Sequence, residues 1–277
     1  MATLPVRLKF WGVRGSTPTP QVENLGFGGN TSCVEIVAPS GESLIFDAGS
    51  GIRNLGNEMM RRAAGEPLNV SLFLTHYHWD HIQGLPFFVP LFSPKNKVAF
   101  YTGLDSRPVQ DVLEGQMSKP YFPIGLDQVA AKREFQVIPE GSSMSVVNCT
   151  VTPFPMNHPQ GAAGYRIEVG GKVIVYATDY EHGDPRLDSV LLDHARNADV
   201  LICDAQYTPA EYETHRGWGH STWMNAASIA KSCCAKRLFL FHHDPTHDDA
   251  FLTALEAEAQ AFFPNTNVAR EGREIEL

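Results

Sequence analysis

No apolar run in the 277-residue sequence approaches the roughly 20 residues that span a bilayer. The opening stretch, Met1 to Arg7, has neither the basic start nor the apolar core of a secretory leader. A soluble, cytoplasmic protein with no membrane partner is therefore expected. Cysteine is scarce, at 5 residues with no C-x-x-C pair. That excludes a disulfide framework and a separate cysteine-based structural zinc, so Cys33, Cys149, Cys203, Cys233 and Cys234 read as reduced, mostly buried small hydrophobes. Positive charge is short as well: 22 Lys and Arg stand against 31 Asp and Glu, a net charge of −9. A large polyanion such as tRNA or duplex DNA needs an extensive basic surface, so no large nucleic acid is expected as a partner. Low-complexity stretches, charge blocks and short-period repeats are missing too, which excludes a linker-joined array or a solenoid.

What remains is globular in composition, with 43% hydrophobic and 19% charged residues. Strand-like and helix-like patterns alternate through both halves. Strands are expected over Val6–Trp11, Cys33–Val37, Val70–Leu74, Lys97–Tyr101, Met144–Val147, Cys149–Thr152, Tyr165–Val169 and Lys172–Tyr176. Helices are expected over Ile52–Arg62, over Arg107–Glu114 and from about Thr222. The pattern changes near residue 140, which reads as two halves of one α/β domain spanning residues 1–277.

The densest chemistry lies between Thr75 and Gly84. Three imidazoles and a carboxylate, His76, His78, Asp80 and His81, follow the apolar run Val70 to Leu74 directly. Two-residue alternation at a strand end points His76 and His78 the same way, while the loop turns Asp80 and His81 elsewhere. Imidazole and carboxylate together suit zinc or a similar ion, and the division suits two neighbouring ions better than one. Further candidates stand at the ends of other apolar strands: His158 after Thr150–Phe154, Asp179 after Val173–Tyr176, and His242 or His243 after Arg237–Phe241. Adjacent strand residues face opposite ways, so only one of that last pair is expected in the site. His182, His194 and His215 read as ordinary surface residues. Asp47 closes the strand Ser43–Phe46 ahead of glycines, where it can accept backbone N–H groups or support a metal-binding loop.

Two glycine-rich stretches, Gly12–Pro18 and Gly28–Ser32, read as ordinary turns, with binding of an anion by their amides as the weaker alternative. The apolar segment Leu85–Phe92 reads mostly as core or subunit interface, with a pocket wall as the alternative, and Lys119–Pro123 as a cover over the site.

The H-x-H-x-D-H signature of His76 to His81 resembles that of the metallo-β-lactamase superfamily. The resemblance implies a four-layer αβ/βα sandwich with a metal site at one edge. It further implies that His76, His78 and His158 hold one metal, that Asp80, His81 and His242 hold the second, and that Asp179 bridges them, with Asp47 in support. Two divalent ions are implied, zinc first, with manganese and iron accepting the same donors.

Two later stretches are similar to the phosphodiesterase branch of that superfamily, which includes tRNase Z-like and bacterial cyclic-nucleotide phosphodiesterases. Val200–Cys203 leads into Asp204, and Gly219-His220-Ser221-Thr222 precedes a helix. In that pattern the histidine protonates the departing oxygen and the upstream acid orients it, which implies His220 and Asp204 in those roles. One helix and one strand fit between His220 and His242, as in tRNase Z, and this favours His242 over His243. The chain departs from tRNase Z in having only a short interval between His158 and Asp179, where that enzyme carries a tRNA-gripping insertion, and in having Asp204 where a Glu is usual.

The expected activity is that of a dinuclear metal-dependent phosphodiesterase acting on a small nucleotide, a 3′,5′-cyclic one by preference. A metal-bridging hydroxide would attack phosphorus, with Asp80 assisting as base. The alternatives are a hydrolase of a lactone, thioester or β-lactam, which would leave Asp204 and His220 without a task, and a non-catalytic ligand sensor. A homodimer is left open.

Overall fold

Residues that alternate between two buried faces build the central strands, which is why those strands read as almost continuous apolar runs. A computed structural model describes residues 4–104 and 108–277. The first half contains β1 (Arg7–Gly12), β2 (Cys33–Val37), β3 (Ser43–Phe46), α1 (Ile52–Ala63), β4 (Asn69–Leu74), the short α2 (Trp79–Ile82), β5 (Lys97–Thr102), α3 (Val109–Gln116) and β6 (Lys132–Val137). The second contains β7 (Met144–Val146), β8 (Cys149–Met156), β9 (Ala162–Val169), β10 (Lys172–Ala177), α4 (Pro185–Ala195), β11 (Val200–Asp204), α5 (Pro209–His215), α6 (Trp223–Ser232), β12 (Leu238–Phe241), α7 (Asp249–Phe262), β13 (Thr266–Val268) and β14 (Glu274–Glu276). The helix expected from Arg107 starts at Val109; Arg107 lies outside the described residues.

Each sheet has 7 strands, in the orders β14-β1-β2-β3-β4-β5-β6 and β13-β12-β11-β10-β9-β8-β7. The chain passes from the first sheet to the second between β6 and β7, where the sequence pattern changes, and returns to the first with β14. Antiparallel pairs at the start of each half give way to parallel ones, at β3–β4 in one sheet and β10–β11 in the other. Along β12, Phe239 and Phe241 enter the core between the sheets, and Leu238 and Leu240 enter the layer under the helices. β4 divides in the same way, with Phe73 between the sheets and Val70, Leu72 and Leu74 towards α1 and α3. The central layer is aromatic: Phe73 stacks between Phe46 at 5.0 Å and Tyr101 at 4.7 Å. Helices α1 and α3 cover the outer face of the first sheet, and α4, α6 and α7 that of the second. The fold is thus the four-layer αβ/βα sandwich.

Helix starts follow side-chain chemistry. Asp184, Thr222 and Asp248 accept backbone N–H groups at the first turns of α4, α6 and α7. The segment Leu85–Phe92 is mainly core: Leu85, Phe88 and Leu91 are fully buried beside α1. Lys119–Pro123 does not border the cavity at His76 and His78. It borders a separate cavity of about 400 Å³, lined also by Met117 and Leu126, and Phe122 packs edge-on against Phe87.

Candidate metal centre

Strands of both sheets end on one rim, and each delivers a polar residue just past its last apolar side chain. β4 ends at Leu74, ahead of Thr75 to His81; β8 leads to His158, β10 to Asp179, β12 to His242, and β3 to Asp47. Three of these residues turn the chain with positive φ: Asp47 at 61°, Asp179 at 56° and His242 at 63°. Non-glycine residues adopt that conformation at a cost, and only where the surroundings over-determine it.

Among the described residues, four overlapping groups of donors result: two include His220, with His158 and Asp179 or with Asp204 and His242, and the other two contain the residues expected from the sequence. The ring nitrogens of His76, His78 and His158 form one, within 4.8 Å of one another, and Asp80, His81, Asp179 and His242 form the other under the same limit. The sequence-derived division between the two groups is therefore the spatial one. Asp179 lies between them: Oδ1 is 3.6 Å from His76 Nε2 and 3.8 Å from His158 Nε2, while Oδ2 is 3.1 Å from His81 Nε2 and 3.3 Å from His242 Nε2. Asp80 Oδ2 is 3.0 Å from His242 Nε2 and 3.3 Å from His81 Nε2, and it accepts the N–H of Ser16 at 2.8 Å. In the glycine-rich turn the Ser16 amide is therefore spent on Asp80.

His81, His242, His158 and His76 are each oriented by a group behind the ring. Asp47 Oδ2 lies 2.8 Å from His81 Nδ1, Gln206 Oε1 2.9 Å from His242 Nδ1, the Gly219 carbonyl 2.9 Å from His158 Nδ1, and Thr75 Oγ1 3.0 Å from His76 Nδ1. Such partners fix ring orientation and tautomer and leave the opposite nitrogen to a metal. His76 Nε2 is the clearest test of fit: it is buried, faces Asp179, and has no hydrogen-bond partner. A divalent cation would satisfy it, and nitrogen and oxygen donors of this kind suit zinc, manganese or iron.

Electrostatics agree. Burial holds His76 well below the ordinary imidazole range, with His81 adding to the effect, and burial also lowers His78 and His158. Burial opposes ionisation of Asp179 and Asp80, yet imidazoles override it and hold both well below the usual carboxylate range: chiefly His242 and His81 for Asp179, and His81 and His242 for Asp80. Neutral imidazole and ionised carboxylate are the states that ligate metals. Burial alone would lower His81 too, but Asp179, Asp80 and Asp47 raise it well above its ordinary value.

Beside the second group, His220 Nδ1 lies 2.8 Å from Asp204 Oδ2. The other oxygen of Asp204 accepts the N–H groups of Ser221 at 2.9 Å and Gln206 at 3.2 Å, and Oδ2 also accepts that of Asp179 at 3.1 Å. The His220 ring stacks on His242 at 4.8 Å and meets His158 edge-on at 5.3 Å. Burial disfavours its charge, but Asp204 prevails and pushes its pKa up to about 9. Held through Nδ1 by this carboxylate, the ring has Nε2 free to carry and offer a proton. A cavity of about 500 Å³ opens onto the first group, bordered by His76, Tyr77, His78, Leu104, Val112, Gln160 and Gly161.

His243 is not part of the cluster. Buried, it hydrogen-bonds through Nε2 to the Ala269 carbonyl at 2.8 Å, and burial lowers its pKa to about 3. His247 bonds to Glu211 at 2.8 Å and stacks on Phe251. In the Gly28–Ser32 stretch, the Asn30 amide is spent on Glu271 and that of Thr31 on Ser50. His182, His194 and His215, expected at the surface, are half-buried. They pack against Tyr212, Phe154 and Tyr207 respectively, because an imidazole is as much an apolar ring as a polar group. Sequence reasoning missed Thr75, Gln206, Tyr176, whose hydroxyl donates to Asp47 at 3.0 Å, and Glu181. Gln206, two residues past Asp204 at a strand end, carried the only local signal.

A family model described as the β-lactamase superfamily domain matches residues 43–243. Ribonuclease Z of Methanosarcina mazei is 27% identical over 98% of each chain. Ribonuclease BN of Cronobacter sakazakii is 25% identical over 82% of this chain and 87% of its own. The metallo-β-lactamase fold protein YhfI from Bacillus subtilis, a solved structure, has a TM-score of 0.74 at 21% identity and 99% coverage of both chains. The expectation that no large nucleic acid is a partner finds no support in relatives that carry the name ribonuclease. No described helix is long and apolar enough to cross a membrane.

Proposed function

This chain belongs to the β-lactamase superfamily and is a metal-dependent hydrolase, and from that premise we propose that it cleaves the phosphodiester of a small nucleotide, with 3′,5′-cyclic nucleotides as first candidates. The observation that carries the reading is the Asp204–His220 pair at 2.8 Å, set against both donor groups. An alkoxide leaving a phosphodiester is a poor leaving group and needs a proton as it departs. Hydrolysis of a lactone or β-lactam would leave that pair without an equally clear task.

Two divalent ions held by His76, His78 and His158 and by Asp80, His81 and His242, with Asp179 shared, would supply activation of water and neutralisation of charge at phosphorus. The chain's own contribution is positional. Asp47, Gln206, Thr75 and the Gly219 carbonyl aim the imidazoles, and Asp80 adds a carboxylate that can accept a proton from the attacking water. As the new P–O bond forms and the P–O bond to the leaving oxygen breaks, the Nε2 proton of His220 passes to that oxygen, giving an alcohol and a phosphate monoester. Asp204 stabilises the imidazolium before transfer and holds the ring in line during it.

RNA is the second reading, favoured by the similarity to ribonucleases. Against it stand the net charge of −9 and the interval from His158 to Asp179, which β9 and β10 fill without an added arm. The test is turnover by metal-loaded protein of cyclic nucleotides, dinucleotides, bis(p-nitrophenyl) phosphate, an RNA with a 3′ extension, a lactone and a β-lactam. Cleavage of cyclic nucleotides is expected. Cleavage of RNA alone would transfer the site to the second reading, and turnover of a lactone or β-lactam without any phosphodiester would overturn both.

A further inference from the structure

A single residue, Gly219, joins the loop that aims a metal ligand to the proposed proton donor. The carbonyl of Gly219 accepts from His158 Nδ1 at 2.9 Å, and the N–H of the same residue donates to Glu181 Oε2 at 2.8 Å. The other carboxylate oxygen, Oε1, accepts the Gly217 N–H at 2.6 Å and the Tyr212 hydroxyl at 2.9 Å. Glu181 is thus buried, filled by three donors, and closed around the Gly217-Trp218-Gly219 turn immediately before His220.

Its backbone completes the arrangement. The Glu181 N–H donates to the Asn157 carbonyl at 2.8 Å, and its carbonyl accepts from Asn157 Nδ2 at 2.7 Å, next to His158. Two residues earlier stands Asp179. One side chain therefore sits where the loops bearing His158, Asp179 and His220 meet. Space there is tight: Gly219 has φ +90°, and a Cβ on it would come within 2.3 Å of His158 Nδ1 and of Pro159 Cδ. Without its clamp, the turn cannot shift without moving the His158 ring, the His220 ring, or both.

We propose that Glu181 is a positioning residue that sets the orientation of His158 and the placement of the His220 proton together, through the backbone of Gly219. The proposal rests on the reading of His220 as the proton donor in phosphodiester cleavage. Its chemistry is specific to a carboxylate: both oxygens accept, and a carboxamide of the same shape would turn an NH₂ towards either Gly219 N–H or the Gly217 and Tyr212 donors.

The test is Glu181→Gln, assayed on two phosphodiesters that differ in leaving group, with metal affinity measured separately by chelator competition. p-Nitrophenolate leaves without a proton, whereas the alkoxide of 3′,5′-cyclic AMP does not. The expected result is a fall in kcat about 10- to 100-fold larger on cyclic AMP than on bis(p-nitrophenyl) phosphate. A loss of about tenfold or more in affinity for one of two ions is expected alongside. Equal losses on both substrates, or unchanged affinity for both ions, would overturn the proposal. If wild-type protein cleaves neither phosphodiester, the functional reading fails instead, and the chelator competition still decides whether Glu181 acts on His158. Should Glu181→Gln not fold, Tyr212→Phe removes one donor of the three: the same split, smaller, is expected, and its absence overturns the proposal.

Discussion

The Nε2 atoms of His81 and His242 face each other across 3.2 Å, while Asp47 and Gln206 hold the opposite nitrogens of the two rings. If each ring donates backwards, two lone pairs point at one another between carboxylates, an arrangement that calls for a cation.

Asp47→Asn should weaken that cation's hold without touching it. Loss of the carboxylate behind His81 is expected to lower metal affinity about 10- to 100-fold, the usual effect of removing such a partner. Chelator competition followed by elemental analysis measures it, and an unchanged affinity would remove Asp47 from the centre.

His220→Ala should behave in the opposite way. Metal content is expected to stay at the wild-type level, while kcat on a cyclic nucleotide falls about 10²- to 10⁴-fold, the range for general acid catalysis. An unaltered kcat would show that the leaving group takes its proton elsewhere.

Phe73→Ala probes the layer between the sheets. Phe73 is fully buried between Phe46 and Tyr101, two residues before Thr75. A loss of about 3–5 kcal/mol in unfolding free energy is expected, as for other buried aromatic truncations. Urea denaturation at fixed metal load checks it; a loss below about 1 kcal/mol would mean that the aromatic layer relaxes around the gap.

Glu211 offers a pH-dependent contribution away from the centre. Partial burial would raise its carboxyl, but His247 and the N–H and hydroxyl of Thr208, which donate to it, outweigh burial and lower the pKa below the ordinary carboxylate value. A carboxyl depressed in the folded state stabilises above its unfolded pKa, about 4.3, and that contribution fades as pH falls through the depressed value. Wild type should therefore be more stable than Glu211→Gln at pH 7, with the gap closing below pH of about 4. A gap that widens on acidification would contradict the assignment.

Much of the centre was legible because its donors stand where apolar strands stop. His76, His78, Asp80, His81, His158 and Asp179 all carry that signal, and the strand patterns around them survive in the structure with ends shifted by a few residues. The choice between His242 and His243 was not legible from alternation, because His242 leaves the strand with positive φ and the two-residue rule stops at Phe241. Lys119–Pro123 illustrates another limit, since aromatic and proline content says that a segment packs, not what it packs on. Gln206 and Glu181 act through partners far along the chain, and an isolated Gln or Glu carries no mark of that.

The pairing of β14 with β1 also bears on solubility. β1 is hydrogen-bonded on one side by β2 and on the other by Glu274–Glu276. Clipping the chain after Gly272 would leave the Arg7–Lys9 backbone unpaired along a sheet edge, a surface that recruits strands from other molecules. Loss of so short a tail would then appear first as aggregation of otherwise folded protein, before any loss of metal.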